Sequence, residues 1–154
     1  MDERQFRDAM GKFTTGITIV SVDYKDEVFA MTVNAFMSIS LNPRLIAISI
    51  AEKASMYPKL LEAKRFGLSV LKEEQKDISM IFAKQKEKDR QIPFSQLQQN
   101  PIIENALAML SCTVVDTHKA GDHVIFIAEV EDLKTNNGSP LLYYGGKYEQ
   151  INKA

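Results

Sequence analysis

The chain contains one cysteine, Cys112, among 154 residues. No disulfide can form within it, and the fold has to stand on its core. That usage points to an intracellular, cytoplasmic protein. Nowhere do about 18 apolar residues run together, as a membrane-spanning helix requires. The opening segment, Met1 to Asp8, is charged where a signal peptide would be apolar. An excess of one charge is also missing, since 19 basic residues stand against 20 acidic ones, which argues against a nucleic-acid binder. Neither Gly-x-Gly-x-x-Gly nor Gly-x-x-x-x-Gly-Lys-Ser/Thr occurs, so any phosphate must be held without a Rossmann turn or a P-loop. No Gly-x-Ser-x-Gly elbow accompanies a serine, which removes the usual hydrolase arrangement. His118 and His123 with Asp116 and Asp122 match no standard zinc spacing and have no thiolate beside them, so a metal site is discounted.

What is present reads as a single domain over residues 1–154, with 45% hydrophobic and 25% charged residues. Phe6, Ala9, Met10 and Phe13 recur at helical spacing and predict a short amphipathic helix ending near Gly16. Ile17 to Val22 predicts a strand, Asp23 to Glu27 a turn, and Val28 to Phe36 its hairpin partner. Leu45 to Ile50 and Phe66 to Leu71 predict strands. Ser55 opens a helix with Tyr57, Leu60 and Leu61 inward, and Glu73 to Ala83 forms a second with Ile78, Ile81 and Phe82 on one face. A polar stretch from Lys84 to Gln99 is the longest loop candidate. Asn100-Pro101 has the form of an N-cap followed by proline at the first helical position, and strands follow at Ala108 to Asp116 and Val124 to Leu133. Many short strands with two or three helices predict a small, mainly antiparallel β-barrel with helices on its outside.

The run from Met31 to Arg44 sets Thr32, Asn34, Ser38 and Ser40 into what otherwise reads as buried strand. Burying such groups unpaired costs about 1–3 kcal/mol each, so the run calls for backbone partners or for a flat, acceptor-rich ligand. Between the strand ending at Ile50 and the helix at Ser55, Lys53, Ser55 and the helix start could cradle a phosphate. On the residues alone, a plain cap at Ser55 and a surface lysine at Lys53 is the simpler reading. Gly121-Asp122 is a turn pair, which puts His123 at the mouth of a strand.

With Gly121-Asp122-His123 downstream, the Met31 to Arg44 run resembles the signature of the flavin reductase-like domain, the short-chain NAD(P)H:flavin oxidoreductases. The resemblance covers nearly the whole chain and implies an FMN-binding split barrel, mainly β with flanking helices and Greek-key-like. It further implies a homodimer with FMN or FAD near the subunit interface and NADH or NADPH as co-substrate. It carries Thr32, Val33, Asn34, Ala35, Ser38 and Ile39 to the flavin ring and ribityl contacts. Glu52, Lys53, Ala54 and Ser55 go to the phosphate side, with Phe82, Ala83 and Lys84 near it. His123 is placed beside the nicotinamide, and Tyr148 in a C-terminal aromatic segment close by, where Tyr143 is better read as an aromatic plug. Ala30, Arg44 and Ser69 depart from the usual glycine, proline and asparagine, which leaves the flavin and nicotinamide preferences open.

The expected activity is hydride transfer from the nicotinamide to flavin, supplying reduced flavin to a partner monooxygenase or other acceptor. Two rivals stand beside it. One is a flavin-binding electron carrier of the same fold that does not use nicotinamide, and the other is a dimeric interaction module that binds no cofactor.

Overall fold

The computed structural model describes residues 1–151. Helix α1 (Glu3–Met10) is opened by Asp2, whose carboxylate accepts from the Gln5 amide at 2.8 Å while the Gln5 side chain accepts from the Asp2 N–H at 3.0 Å. This is a reciprocal capping box. The helix ends at Gly11, earlier than the sequence predicts, and buries none of its side chains.

Strand β1 (Thr15–Gly16) leads into the hairpin β2 (Thr18–Tyr24) and β3 (Glu27–Val33). The hairpin turns at Lys25 and Asp26, both with positive φ, as a tight two-residue connection requires. The expected partner strand to Phe36 stops at Val33, because Asn34 and Ala35 swing the chain into β4 (Phe36–Leu41) and on to β5 (Arg44–Ala51). Helix α2 (Met56–Ala63) and β6 (Arg65–Val70) follow, then a 3-10 turn at Glu73–Gln75 that runs into α3 (Lys76–Phe82). Of the residues expected inward on α2, Leu60 is fully buried and Tyr57 half-buried, but Leu61 is 40% exposed and faces outward.

The rest of the chain is strand: β7 (Phe94–Leu97), β8 (Asn100–Ile103), β9 (Ala108–Ala120), β10 (His123–Thr135), β11 (Leu142–Tyr144) and β12 (Lys147–Glu149). A seven-stranded antiparallel sheet in the order β3-β2-β6-β9-β10-β5-β4 forms the barrel. A small sheet β1-β11-β12 and the pair β7-β8 lie against it. The architecture is the mainly β split barrel with flanking helices. The main core holds Val20, Ile48, Ile50, Phe66, Leu68 and Phe126, and a second core of Ile17, Ile19, Leu71, Ile81 and Leu141 includes packing from α3 and the C-terminal strands. Tyr143 is half-buried in that second core, edge-on to Tyr148. No helix among the described residues is long and apolar enough to cross a membrane.

The expected helix at Asn100-Pro101 is instead the buried strand β8. Every one of its residues is buried, and among the described residues it pairs only with β7, so its polar groups need side-chain partners. Ser21 donates to the Pro101 carbonyl at 2.7 Å, the Ile103 N–H donates to Ser69 Oγ at 2.9 Å, and the Asn100 amide donates to Ser111 Oγ at 2.8 Å. Three serines of the barrel wall thus hold a strand laid across it, which outweighs the local helix-start pattern. The approach is close enough that a Cβ at Gly67 would stand 1.8 Å from the Pro101 carbonyl oxygen. Gly67→Ala should therefore displace β8 and cost ~3 kcal/mol or more. A fall in melting temperature of about 6–12 °C is expected for a domain of this size, and an unchanged melting curve would show that β8 yields freely.

Candidate functional site

Strands β3 and β4 are the two edges of the seven-stranded sheet, and neither pairs with the other among the described residues. A cleft of about 340 Å³ runs along the β3 edge, within the range of small-molecule sites. Phe29, Ala30, Met31 and Thr32 of β3 form one wall. Ala54, Ser55, Met56 and Lys59 at the start of α2 form the second, and Phe82, Ala83 and Lys84 at the end of α3 the third. Two ammonium groups and no carboxylate line it, so it favours an anion.

Local structure sets each of these groups. Ser55 stands at the N-cap of α2, yet its hydroxyl makes no capping bond, which leaves it available to a ligand. Lys59, one turn further on, donates from Nζ to the Ser55 carbonyl at 3.0 Å. Lys84 takes a left-handed conformation (φ 59°) just past α3, the conformation that commonly ends a helix. Helix α3 is tied to β3 by a relay. Thr32 donates to the Ser79 carbonyl at 2.7 Å, the Ser79 hydroxyl donates to the Tyr148 oxygen at 2.9 Å, and the Tyr148 hydroxyl donates to Gln85 Oε1 at 2.9 Å.

Of the residues singled out from the sequence, the structure brings Thr32, Ala54, Ser55, Phe82, Ala83 and Lys84 together on this cleft. Val33 turns its side chain into the main core. Asn34, Ala35, Ser38 and Ile39 lie beyond the cleft and are exposed. The premise that the polar side chains of this run are buried therefore fails, since β4 is an uncovered edge and Thr32 already has a protein partner. Glu52 and Lys53 sit on the approach to α2, next to the β9–β10 turn: the Glu52 N–H donates to the Asp122 carbonyl at 3.0 Å. His123 is there too, opposite Ala51 in the ladder, and donates from Nδ1 to Asp122 Oδ1 at 2.7 Å. That hydrogen bond, with the charge of the ring, holds the Asp122 carboxyl below the usual range. The pair is thus kept above the ordinary aspartate range and is lost as pH falls through the lowered value. Tyr148 stands behind α3 instead of on the cleft wall. The sequence reading missed Phe29 and Lys59. Their only signal was position, Lys59 one helical turn after Ser55 and Phe29 on the strand that carries Thr32.

The walls suit a phosphorylated flat ring: an unpaired strand edge offers backbone donors and acceptors, Phe29, Met31 and Phe82 supply apolar surface, and Ser55, Lys59 and Lys84 can meet an anion. A split antiparallel barrel with such a cleft at its open edge defines a flavin-binding barrel of the reductase type. Residues 10–152 match the flavin reductase like domain, and the chain belongs to that family. It superposes on the flavin reductase PheA2 in its native state with a TM-score of 0.97 and 47% identity, covering 99% of this chain and 100% of that one. An NADH-dependent flavin reductase of a Rhodococcus species is 38% identical over 94% of this chain and 84% of its own length. The reductase component of a flavin-dependent trigonelline monooxygenase from Acinetobacter baylyi is 40% identical over 94% of this chain, which spans 48% of that protein.

Tyr148→Phe removes the hydroxyl between Ser79 and Gln85 and leaves the buried Ser79 Oγ without its partner. A loss of about 1–3 kcal/mol is expected, read as a lower urea midpoint with an unchanged slope. An unmoved midpoint would show that the relay does not hold α3.

Proposed function

We propose that this chain passes a hydride from NADH to a flavin held in the β3-edge cleft and delivers the reduced flavin to a partner monooxygenase. The observation that carries the reading is the convergence of three separate segments, at Thr32, Ser55 and Phe82 to Lys84, on one cation-lined cleft. When both were bound, the nicotinamide would supply a hydride and the flavin would accept it, with the β3-edge cleft holding the flavin and His123 the nicotinamide. The chain's task is then geometric, and proximity with orientation can supply up to about 7–11 kcal/mol in favourable cases.

In this reading Thr32 and the β3 edge orient the ring system, Ser55 and Lys84 hold the flavin phosphate, and Glu52 and Lys53 form its outer rim. Asp122 fixes the imidazole of His123, which positions the nicotinamide half. The Rhodococcus relative is named for NADH, which supports NADH over NADPH, and the Acinetobacter relative is a monooxygenase component, which supports the acceptor. A homodimer belongs to the same proposal. Met37, Ile39 and Leu41 leave 56%, 39% and 89% of their surface exposed on β4, and a second copy over that edge would cover them and bring Asn34 and Ser38 against the flavin.

Anaerobic stopped-flow mixing with NADH tests the activity: the flavin absorbance should bleach. A bound flavin that stays oxidised would mark an electron carrier instead. His123→Ala should still bind flavin, with slower reduction and a raised KM for NADH, because both positioning and binding are lost. Reduction kinetics equal to those of the native protein would remove His123 from the site.

A further inference from the structure

The connection from β10 to β11 contains the dipeptide Asn137-Gly138 and is pinned on both sides of it. Before it, the Asn136 N–H donates to the Leu107 carbonyl at 2.9 Å and the Asn136 side-chain amide to the Ala106 carbonyl at 2.9 Å. After it, the Ser139 carbonyl accepts from the Glu73 N–H at 2.9 Å, and Pro140 bridges to Lys72. Between these anchors Asn137 and Gly138 are exposed and lie outside helix and strand. Among the described residues, neither the Asn137 side chain nor the Gly138 N–H makes a hydrogen bond. The fold itself demands the glycine, because its φ of 152° disfavours a side chain and a Cβ there would stand 3.0 Å from Leu107 Cδ2. An asparagine amide is open to attack by the main-chain nitrogen of the next residue, and a side chain on that residue shields the nitrogen. Asn137 meets no such shield. Asn42 and Asn100 precede prolines, which have no N–H. Asn34 and Asn105 precede alanines, and Asn136 precedes another asparagine with its own amide already engaged.

We propose that Asn137 is the site at which this protein deamidates, and that isoaspartate formed there loosens the entry to α3. The Gly138 nitrogen bonds to Asn137 Cγ, the Cγ–Nδ2 bond breaks, and the Gly138 proton leaves with the amide nitrogen as ammonia. Water then opens the cyclic imide. Cleavage at Cγ gives aspartate, whereas cleavage at the main-chain carbonyl gives isoaspartate, in which the chain runs on through Cβ and Cγ. Water is the only co-reactant. Aspartate adds a charge on an exposed loop, but isoaspartate also inserts an extra carbon between two fixed anchors. Asn136 is held by two hydrogen bonds and Ser139 by one, so the Ser139 side yields first. Its bond to Glu73 fixes the start of the turn at Glu73–Gln75, which runs directly into α3 and so sets the helix that ends at Phe82, Ala83 and Lys84 on the cleft wall. The inference does not depend on what the cleft binds.

The test is timed incubation of the native protein under nitrogen at mildly alkaline pH, followed by peptide mapping and isoaspartyl methylation. Isoaspartate should accumulate at Asn137 several times faster than deamidation at any other asparagine, and faster as pH rises. Asn137→Gln, whose longer side chain closes the ring far more slowly, should gain none there. The aged fraction, separated by its added negative charge, should melt below fresh protein, and treatment with protein isoaspartyl methyltransferase and S-adenosylmethionine should restore the melting temperature. Asn137→Asp carries the charge without the extra carbon and should melt like fresh protein. Asn137 surviving while another asparagine reacts first overturns the site. An isoaspartyl fraction that melts like fresh protein, or an aged fraction that melts no lower than Asn137→Asp, overturns the loosening of α3.

Discussion

Strands β3 and β4 are neighbours in the chain and opposite ends of the sheet, and everything about the site depends on their failing to pair. Backbone N–H and C=O groups along an edge must find partners in water, in another chain or in a ligand. A fully closed barrel would have satisfied them internally and left only side chains to face a cofactor. Here the two-residue link at Asn34 and Ala35 keeps the edges apart, so the β3 edge lies open beside the start of α2 and the end of α3. The fold thus trades internal ladder bonds for a surface that can recognise a polar ring system.

That open edge is stiffened from behind. The hydroxyl relay through Thr32, Ser79, Tyr148 and Gln85 connects β3, α3 and the C-terminal ribbon, and the second core packs Ile81 of α3 against Ile17, Ile19 and Leu141. The phosphate end is organised differently, by an uncapped helix start and two lysines whose charges face no acid across the cleft. Rigid where orientation matters and positively charged where an anion arrives, the cleft divides its two tasks between α3 and α2.

Much of this was legible from sequence because the pattern is local. The β-branched run at Ile17 to Val22, the apolar run at Leu45 to Ile50 and the helical spacing of Ile78, Ile81 and Phe82 each report a face that meets the core. Thr32, Ser55 and Lys84 were found through motif resemblance, and the structure draws them together. What failed was decided at long range. Asn100-Pro101 carries a good helix-start signature, and three serines on distant strands override it. The burial of Asn34 and Ser38 was inferred from apolar neighbours, but Met37, Ile39 and Leu41 point away from this chain's own core. Lys59 escaped notice because a lysine on a helix gives no sign of which carbonyl or ring it will lie against.

The strand laid across Gly67 has a consequence for how the molecule forms. The bond from Ser21 to the Pro101 carbonyl joins residues 80 apart in the chain, and the contacts to Ser69 and Ser111 require β6 and β9 to be side by side already. Non-local pairings of this kind slow folding. Docking of β8 is therefore a late event in folding, after the sheet that receives it. Defects at Gly67 will shorten the lifetime of the folded state more than they delay its assembly.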